Sequence, residues 1–126
     1  MQRIIIAIIS FLVLSIPVFG SDWKQVGTGP NDNPVYLDID RILTKNKNYR
    51  VWWKVKYNTP EKNDSGKLIV EALINSEINC SKRTFKNLSV RKYFKDGDFD
   101  SGISNAEHTG IQPDSVIDML SKILCK

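Results

Sequence analysis

Two neighbouring stretches of this chain alternate with a period of two, and they constrain the fold more than any other feature. In residues 49–57 one set of alternate positions is aromatic or β-branched, and the other set is mostly basic. The first set is Tyr49, Val51, Trp53, Val55 and Tyr57, and the second is Arg50, Trp52, Lys54 and Lys56. Such alternation predicts a β-strand with the first set facing a core and the second facing solvent.

The second stretch, residues 67–80, has the same period. One face would carry Leu68, Val70, Ala72, Ile74, Ser76, Ile78 and Cys80, and the other Lys67, Ile69, Glu71, Leu73, Asn75, Glu77 and Asn79. The segment Thr59–Gly66 contains proline, asparagine and glycine, so we expect it to form the turn between the two strands. Because antiparallel sheets often have one buried and one solvated face, the pair predicts an antiparallel sheet.

Shorter patterns predict the rest of the sheet. Residues 23–26 and 35–37 are expected to be short strands, separated by a turn rich in glycine, asparagine and proline. Residues 84–94 read as a third long strand, with a bulge near Phe85. Residues 96–110 read as a loop that holds one more edge strand around Ile103 or Ile111. The sheet would then have about five to six strands.

The chain ends in a predicted amphipathic helix. Ser115 and Asp118 have the spacing of a helix N-cap pair. The apolar residues that follow at helical spacing are Val116, Met119, Leu120, Ile123 and Leu124. The fold class is therefore α+β, with a small antiparallel sheet and one C-terminal helix packed on it.

The first 20 residues differ from the rest and predict export. A short basic start is followed by an almost wholly apolar run of about 16 residues, and Gly20 lies at a small-residue cleavage position before Ser21. The alternative is a membrane anchor, but the run is shorter than the roughly 20 residues that span a bilayer. We expect residues 1–20 to be a signal peptide and residues 21–126 to form one domain with no membrane span after cleavage.

Cys80 and Cys125 are the only cysteines of the chain. An even number of cysteines in an exported protein favours a disulfide bond. Closing a loop of about 46 residues would be worth roughly 4 kcal/mol in the chain-entropy model. The alternatives, a redox pair or a zinc site, lack a C-x-x-C motif and a second histidine. The bond would hold the C-terminal helix against the core face of the sheet.

The charged residues are segregated along the chain. Residues 41–56 and 82–95 carry basic residues and no acid, and the net charge is only +4, which excludes a strongly polycationic nucleic-acid binder. One interpretation is a basic strip that contacts an anionic glycan or an acidic protein segment. The candidate partner-binding residues are Arg50, Trp52, Lys54, Lys56, Arg91 and Lys92. The alternative is charge pairing across the strands with Glu71 and Glu77, which leaves Trp52 unexplained.

Residues 96–107 partly match a calcium-binding EF-hand loop, with oxygen ligands at Asp96, Asp98, Asp100 and Glu107. Ser101 replaces the glycine that the sharp turn of that loop needs, so an acidic surface loop is the simpler interpretation. His108 is the only histidine, and a hydrolase built around it would use Ser104 or Ser115 with Glu107. No nucleophile motif surrounds these residues, and we expect neither catalysis nor a cofactor.

Several segments together resemble the surface-adhesin protein E-like domains of Gram-negative bacteria. They follow the order of that family and cover nearly the whole predicted mature chain. They are Trp23–Gly27, Val35–Asp38, Val51–Tyr57, Glu77–Cys80, Tyr93 before Gly97, and Ile111–Ser115 leading to Leu124 and Cys125. The ordered set together with both cysteines carries the resemblance.

The resemblance implies a non-enzymatic protein of the cell envelope, in the periplasm or at the cell surface. The founding adhesin binds host extracellular-matrix and serum proteins, so a host or envelope protein is the expected partner. The alternative function is a soluble periplasmic inhibitor of a hydrolase or an assembly partner of another envelope protein. Unpaired sheet edges would also allow a homodimer.

Overall fold

The structure, a computed structural model, describes residues 22–103 and 107–126. Within these residues it contains eight antiparallel strands in one sheet and one α-helix. The strands are β1 (Trp23–Thr28), β2 (Pro34–Asp38), β3 (Leu43–Lys45), β4 (Asn48–Lys62), β5 (Leu68–Asn79), β6 (Thr84–Phe94), β7 (Phe99–Ile103) and β8 (Thr109–Gly110). The helix is α1 (Val116–Leu124). The predicted signal peptide lies outside the described residues.

The main path through the sheet is β1-β2-β4-β5-β6-β7, while β3 pairs with β4 and β8 pairs with β6. The fold class and the C-terminal helix are confirmed, but the expected five to six strands are too few. The two strands that pair off the main path, β3 and β8, have three and two residues. Such short strands show no alternation, so sequence periodicity does not reveal them.

Strand β4 has the predicted orientation, with Val51 and Val55 buried on one side. It continues to Lys62, so the expected turn at Thr59–Gly66 begins too early. The turn is made instead by Asn63, whose side-chain oxygen accepts the backbone N–H groups of Ser65 at 3.0 Å and Lys67 at 2.9 Å. A polar segment can remain extended when its neighbour pairs with it, and β5 pairs with β4 as far as Lys62.

Strand β5 also has the predicted buried face from Ala72 to Ile78. The first residues of β5 differ from the prediction, because the pairing of β5 with β6 shifts register between Ile69 and Glu71. The extra residue, Val70, reverses the alternation, so Ile69 is buried although the pattern placed it on the solvent face.

The bulge expected near Phe85 lies three residues later. Phe85 pairs regularly with Ile78, and the register shift instead leaves Leu88 as the extra residue opposite the Asn75–Ser76 step. The run from 84 to 90 is half-buried throughout, so burial alone does not reveal where the alternation changes.

The helix covers one face of the sheet. Ile117 and Leu120 pack with Leu37, Val51 and Ile78 to form the main core. The predicted N-cap is confirmed, since the Ser115 hydroxyl accepts the backbone N–H of Asp118 at 3.1 Å. The Cys80–Cys125 disulfide is also confirmed and joins the end of β5 to the end of α1, with the two Cα atoms 5.6 Å apart.

Asp118 connects the start of α1 to the rest of the molecule. Its buried carboxylate accepts the backbone N–H of Asp114 at 3.0 Å and lies 3.2 Å from Lys122 Nζ and 3.4 Å from an Arg83 guanidinium nitrogen. The Asp114 N–H and the Lys122 ammonium, with Arg83 as a weaker contributor, hold the pKa of the Asp118 carboxyl below its usual range, although burial opposes them.

Across residues 22–103 and 107–126, no helix has the length and apolarity to cross a membrane.

Candidate binding surface

The sheet face opposite α1 carries four of the six candidate binding residues. Arg50, Trp52, Lys54 and Lys56 project from alternate positions of β4, on the side away from the buried Val51 and Val55. We call this side the outer face. On β5 they stand opposite Glu77, Asn75, Leu73 and Glu71, in that order. The alternation that builds the core on one side therefore also spaces a basic and aromatic row on the other.

Lys54 is held between aromatic rings from two other strands. Its Nζ lies 4.4 Å from the ring centroid of Trp23 on β1 and 5.6 Å from that of Tyr36 on β2, and Lys56 Nζ lies 5.3 Å from the Tyr36 ring. Ammonium groups within about 6 Å of an aromatic face are attracted by the electrons of the ring. These contacts orient both lysines on the outer face without neutralising their charge.

Trp23 and Tyr36 were not among the predicted site residues. Tyr36 lies between the buried Val35 and Leu37, so alternation along β2 would have placed it on the outer face. Trp23 pairs with Asp38, on the same side as Tyr36. That register depends on the pairing of β1 with β2 and carries no signal in the local sequence.

Charge pairing across the strands accounts for only part of the outer face. Arg50 lies 4.0 Å from Glu77, at the limit of an ion pair, and its side chain is 54% exposed. Lys56 stands opposite Glu71 in register, yet neither Lys54 nor Lys56 forms an ion pair among the described residues. The outer face therefore keeps uncompensated positive charge beside half-buried aromatic side chains.

The outer face contains a groove of about 640 Å³. It is lined by residues of strands from both ends of the sheet path, by central strands and by the 3-10 turn after β2. They are Trp23, Arg41, Trp52, Leu73, Ser89, Val90, Arg91, Ser101, Gly102 and Ile103. Strands β1 and β7 are five positions apart in a flat sheet, so the sheet must curl toward the outer face for both to line one groove. A volume in this range suits a few side chains or a small ligand.

The two candidates on β6 lie on opposite faces. Arg91 pairs with Leu73 of the outer face, whereas Lys92 pairs with Ala72, whose side chain is buried on the helix side. The guanidinium carbon of Arg91 lies 4.7 Å from the ring centroid of Phe99 on β7. Arg91 therefore belongs to the same surface as the β4 row, and Lys92 does not.

Beneath the outer face, side-chain hydrogen bonds that the sequence did not reveal link Trp53 of β4 to β5 and β6. Its indole N–H donates to the Ser76 hydroxyl at 2.9 Å, and that hydroxyl donates to the Asn87 side-chain oxygen at 2.6 Å. Ser76 is completely buried. This chain of bonds satisfies polar groups inside the core, which explains why serine occupies a core position of β5.

The acidic segment 96–107 is not a continuous loop. Asp96 and Asp98 lie in the turn before β7, where Lys67 Nζ approaches them at 3.6 and 3.1 Å. The backbone N–H of Phe99, and after it Lys67, lower the pKa of the Asp98 carboxyl. Asp100 lies in β7 and pairs with Lys92 of β6. An extended strand does not wrap its side chains around one ion. In the described ranges no group of three or more histidine, cysteine or acidic residues is placed to hold a metal.

His108 and Ser115 each contact other groups in the structure. His108 is exposed, and its Nδ1 lies 3.3 Å from the Thr84 hydroxyl. The Ser115 hydroxyl caps α1 and donates to the Gln112 carbonyl at 2.7 Å. Ser104 lies outside the described residues. The Ser115 hydroxyl therefore already has a structural role.

These features define a class of small disulfide-linked α+β domain, with a helix on one sheet face and a basic, aromatic groove on the other. A family model described as surface-adhesin protein E matches residues 23–126. The chain belongs to the surface-adhesin protein E family. Membership indicates an exported, non-enzymatic protein of the cell envelope. A search of curated proteins found no match.

Solved structures of protein E from Haemophilus influenzae have a similar fold. One has a TM-score of 0.55 and 14% sequence identity, covering 84% of this chain and 88% of that chain. A second crystal form has a TM-score of 0.56 and 14% identity, covering 84% and 91%. Protein E from a non-typeable strain has a TM-score of 0.55 and 13% identity, covering 86% and 78%. At such low identity the likeness concerns the fold alone.

Proposed function

We propose that this protein is an exported binding protein of the cell envelope that contacts a protein partner through its outer face. Arg50, Trp52, Lys54, Lys56 and Arg91 would form the contact surface. Because the family is that of a surface adhesin, a host extracellular-matrix or serum protein is the proposed partner.

The observation that carries this proposal is the packing of Lys54 and Lys56 against aromatic rings on the outer face. Lys54 and Lys56 are oriented by Trp23 and Tyr36, so less side-chain freedom is lost when a partner binds. Their charge remains available to acidic groups of that partner. The groove beside them adds Trp52 and Arg91, and tryptophan and arginine are among the residues that contribute most to protein interfaces.

The test uses the purified domain, residues 21–126, on an array of extracellular-matrix and serum proteins. For each partner captured, Lys54→Ala and Lys56→Glu are expected to weaken binding tenfold or more. Lys92→Ala is the matched control, because it removes a lysine from the other side of the sheet, and its affinity should change less than twofold. Unchanged thermal unfolding of each variant would show that the fold is intact. Equal binding by all four proteins would contradict the proposal.

A second experiment tests whether the protein lies at the cell surface or in the periplasm. Protease added to intact cells should degrade the protein while a periplasmic control stays protected. Protection of both until the outer membrane is breached would exclude a host partner. The search would then move to periplasmic partners, such as a hydrolase that the protein inhibits or an envelope protein that it helps to assemble.

A further inference from the structure

The two edges of the sheet differ in how well they are protected. Edge strands usually carry a bulge, a proline or a covering element that prevents pairing with another chain. Strand β1 has a register shift between Gln25 and Gly27, and Pro30 follows its end. Gly27 also lies directly against Met119 of α1, where a Cβ atom would meet the methionine sulfur. The irregular register and the packed helix make this edge less suited to pairing with a further strand.

In the part of the chain that the structure describes, strand β7 has none of these protections. It pairs regularly with β6 from Phe99 to Ile103, with no register shift. Its sequence contains neither proline nor lysine, and all five residues are exposed. Among the described residues, no other strand pairs with it.

The hairpin between β6 and β7 determines which backbone groups face outward. Phe94 N–H donates to the Asp98 carbonyl at 2.9 Å and the Phe94 carbonyl accepts the Gly97 N–H at 3.0 Å, so the backbone groups of Phe94 face β7. Hydrogen-bonded and non-hydrogen-bonded pairs alternate along an antiparallel ladder. Asp100 and Gly102 therefore direct their N–H and carbonyl groups toward β6, whereas Phe99, Ser101 and Ile103 direct theirs away from it.

One hydrogen bond agrees with this assignment and removes one N–H from the groups that could pair with another strand. The Phe99 N–H donates to the Asp98 side-chain oxygen at 2.9 Å rather than to β6. Within residues 22–103 and 107–126, the N–H groups of Ser101 and Ile103 and the carbonyl groups of all three outward residues have no backbone partner, so they are available to another strand. An extended segment of about five residues matches this length, at about 3.4 Å per residue.

The side chains of β7 indicate what such a segment would carry. Phe99, Ser101 and Ile103 share the outer face with Arg91, and Phe99 and Ile103 are 51% and 84% exposed. Apolar side chains on an added strand would cover Phe99 and Ile103. Between these two, Arg91 stands opposite Ser101, which is too small to screen it, and Arg91 forms no ion pair in the described part of the chain. A carboxylate placed beside Ser101 would meet this charge.

We propose that β7 binds an extended segment of the partner protein as an added antiparallel strand, with the outer-face pattern apolar–acidic–apolar at alternate residues. This inference rests on the proposed function and names how the partner would enter the same surface. The groove lined by Trp52, Leu73, Ser101 and Ile103 begins beside this edge. Backbone hydrogen bonds would supply affinity, and the alternate side chains would supply specificity.

The probe is a fluorescently labelled peptide, acetyl-TVTETVT-amide, in which two valines flank a glutamate at alternate positions. In the control peptide lysine replaces the glutamate. We expect the glutamate peptide to bind the domain at least tenfold more tightly than the lysine peptide. Arg91→Ala should remove most of this preference. Equal affinity for both peptides would overturn the proposed pattern.

A backbone variant tests strand addition directly. Ser101→Pro removes an outward N–H and places a ring where the added strand would lie, but it breaks no bond to β6. Peptide binding should fall tenfold or more. Ser101→Ala keeps the N–H, and its affinity should stay within twofold of the wild type. Binding of the peptide to Ser101→Pro at wild-type affinity would overturn the proposal.

Amide hydrogen exchange on the unaltered domain keeps the proposal testable should Ser101→Pro fold poorly. Bound peptide should slow exchange at Ser101 and Ile103, and leave the already bonded Asp100 and Gly102 nearly unchanged. Protection confined to other strands would overturn the proposal. So would a concentration-dependent dimer that Ser101→Pro abolishes, because the edge would then be occupied by a second copy.

The array of whole partners separates this proposal from the proposed function. If Lys54→Ala weakens a captured partner and Ser101→Pro does not, the edge proposal fails and the outer-face function stands. If neither variant has an effect, the proposed function fails. Weakening by both variants, with Lys92→Ala unchanged, supports the two together.

Discussion

The two faces of β4 are built from one alternating segment, yet they serve different purposes. On the helix side, Val51 and Val55 are removed from water and pack beneath α1 or the neighbouring strands. On the outer side, Lys54 and Lys56 rest on aromatic rings at the surface. Burial of apolar area stabilises a fold much more than exposed charge contacts do. The comparison therefore predicts that stability resides on the helix side and binding on the outer side.

The disulfide should have the largest effect on stability. Cys125→Ser frees the end of α1 from β5 and restores the freedom of a loop that spans a sequence separation of 45. The expected loss in the free energy of unfolding is about 4 kcal/mol, measured by urea unfolding. Cys80→Ser is expected to match it within error. A loss well below 1 kcal/mol in both variants would mean that packing alone holds the helix side together.

Substitution of one leucine on each face of the sheet compares how much the two faces contribute to stability. Leu120 is 0% exposed beneath the sheet, and Leu120→Ala should cost about 3 kcal/mol because it leaves a cavity. Leu73 is half-buried in the outer groove, and Leu73→Ala should cost about 1 kcal/mol because less apolar area is lost. Urea unfolding of both variants measures the difference. Equal losses would indicate a second core on the outer face.

Acid should weaken the helix side through Asp118. A carboxyl whose pKa is lowered by folding stabilises the protein above its unfolded pKa, near 3.9. That contribution is lost as the pH falls through the lower folded pKa. The pKa of Asp118 is lowered first by the Asp114 N–H and then by Lys122. Asp118→Asn should therefore lower stability at neutral pH and flatten the loss below about pH 4.

The contribution of Asp98 provides the internal reference for that experiment. Its pKa is also lowered, so the Asp118→Asn protein should keep part of the wild-type acid dependence. Thermal unfolding between neutral pH and pH 2 measures both proteins. Identical pH profiles would show that the contacts of Asp118 add nothing to the stability of the helix side.

Two adjacent tryptophans provide a finer comparison. Trp53 donates its indole N–H to Ser76, whereas no hydrogen bond of the Trp52 indole is found within the described residues. Trp53→Phe should cost about 1 kcal/mol or more, because the buried Ser76 hydroxyl loses its donor. Trp52→Phe should change the free energy of unfolding by less than that. A reversed order would place Trp52, and not Trp53, in the supporting structure.

The smallest expected effect on stability is that of Lys54. Its contacts with Trp23 and Tyr36 lie near the surface, where such interactions contribute about 0.5–1 kcal/mol. Lys54→Ala should therefore barely change thermal unfolding while it weakens partner binding. A large loss of stability would mean that the outer row supports the fold rather than a partner.

Much of the helix side could be predicted because its signals are local. The burial of Val51 and Val55, the Ser115 cap and the amphipathic spacing of α1 all follow from residues close in sequence. The bulges at Val70 and Leu88 could not be located, since a bulge depends on which residues pair across strands. The outer row of β4 was predicted from the same alternation, but Lys92 was grouped with it although it points to the other side.

The sequence alone determined the strand alternation and the helix with its cap, because each depends on residue spacing within one segment. It also determined the disulfide, because the chain has only two cysteines. Only the tertiary structure decided that Trp23 and Tyr36 reach Lys54, that β1 and β7 line one groove, and that β7 is a sheet edge with no further strand beside it among the described residues. These features depend on strand register and sheet curvature. Both are set by packing between segments distant in sequence, so no local pattern reports them.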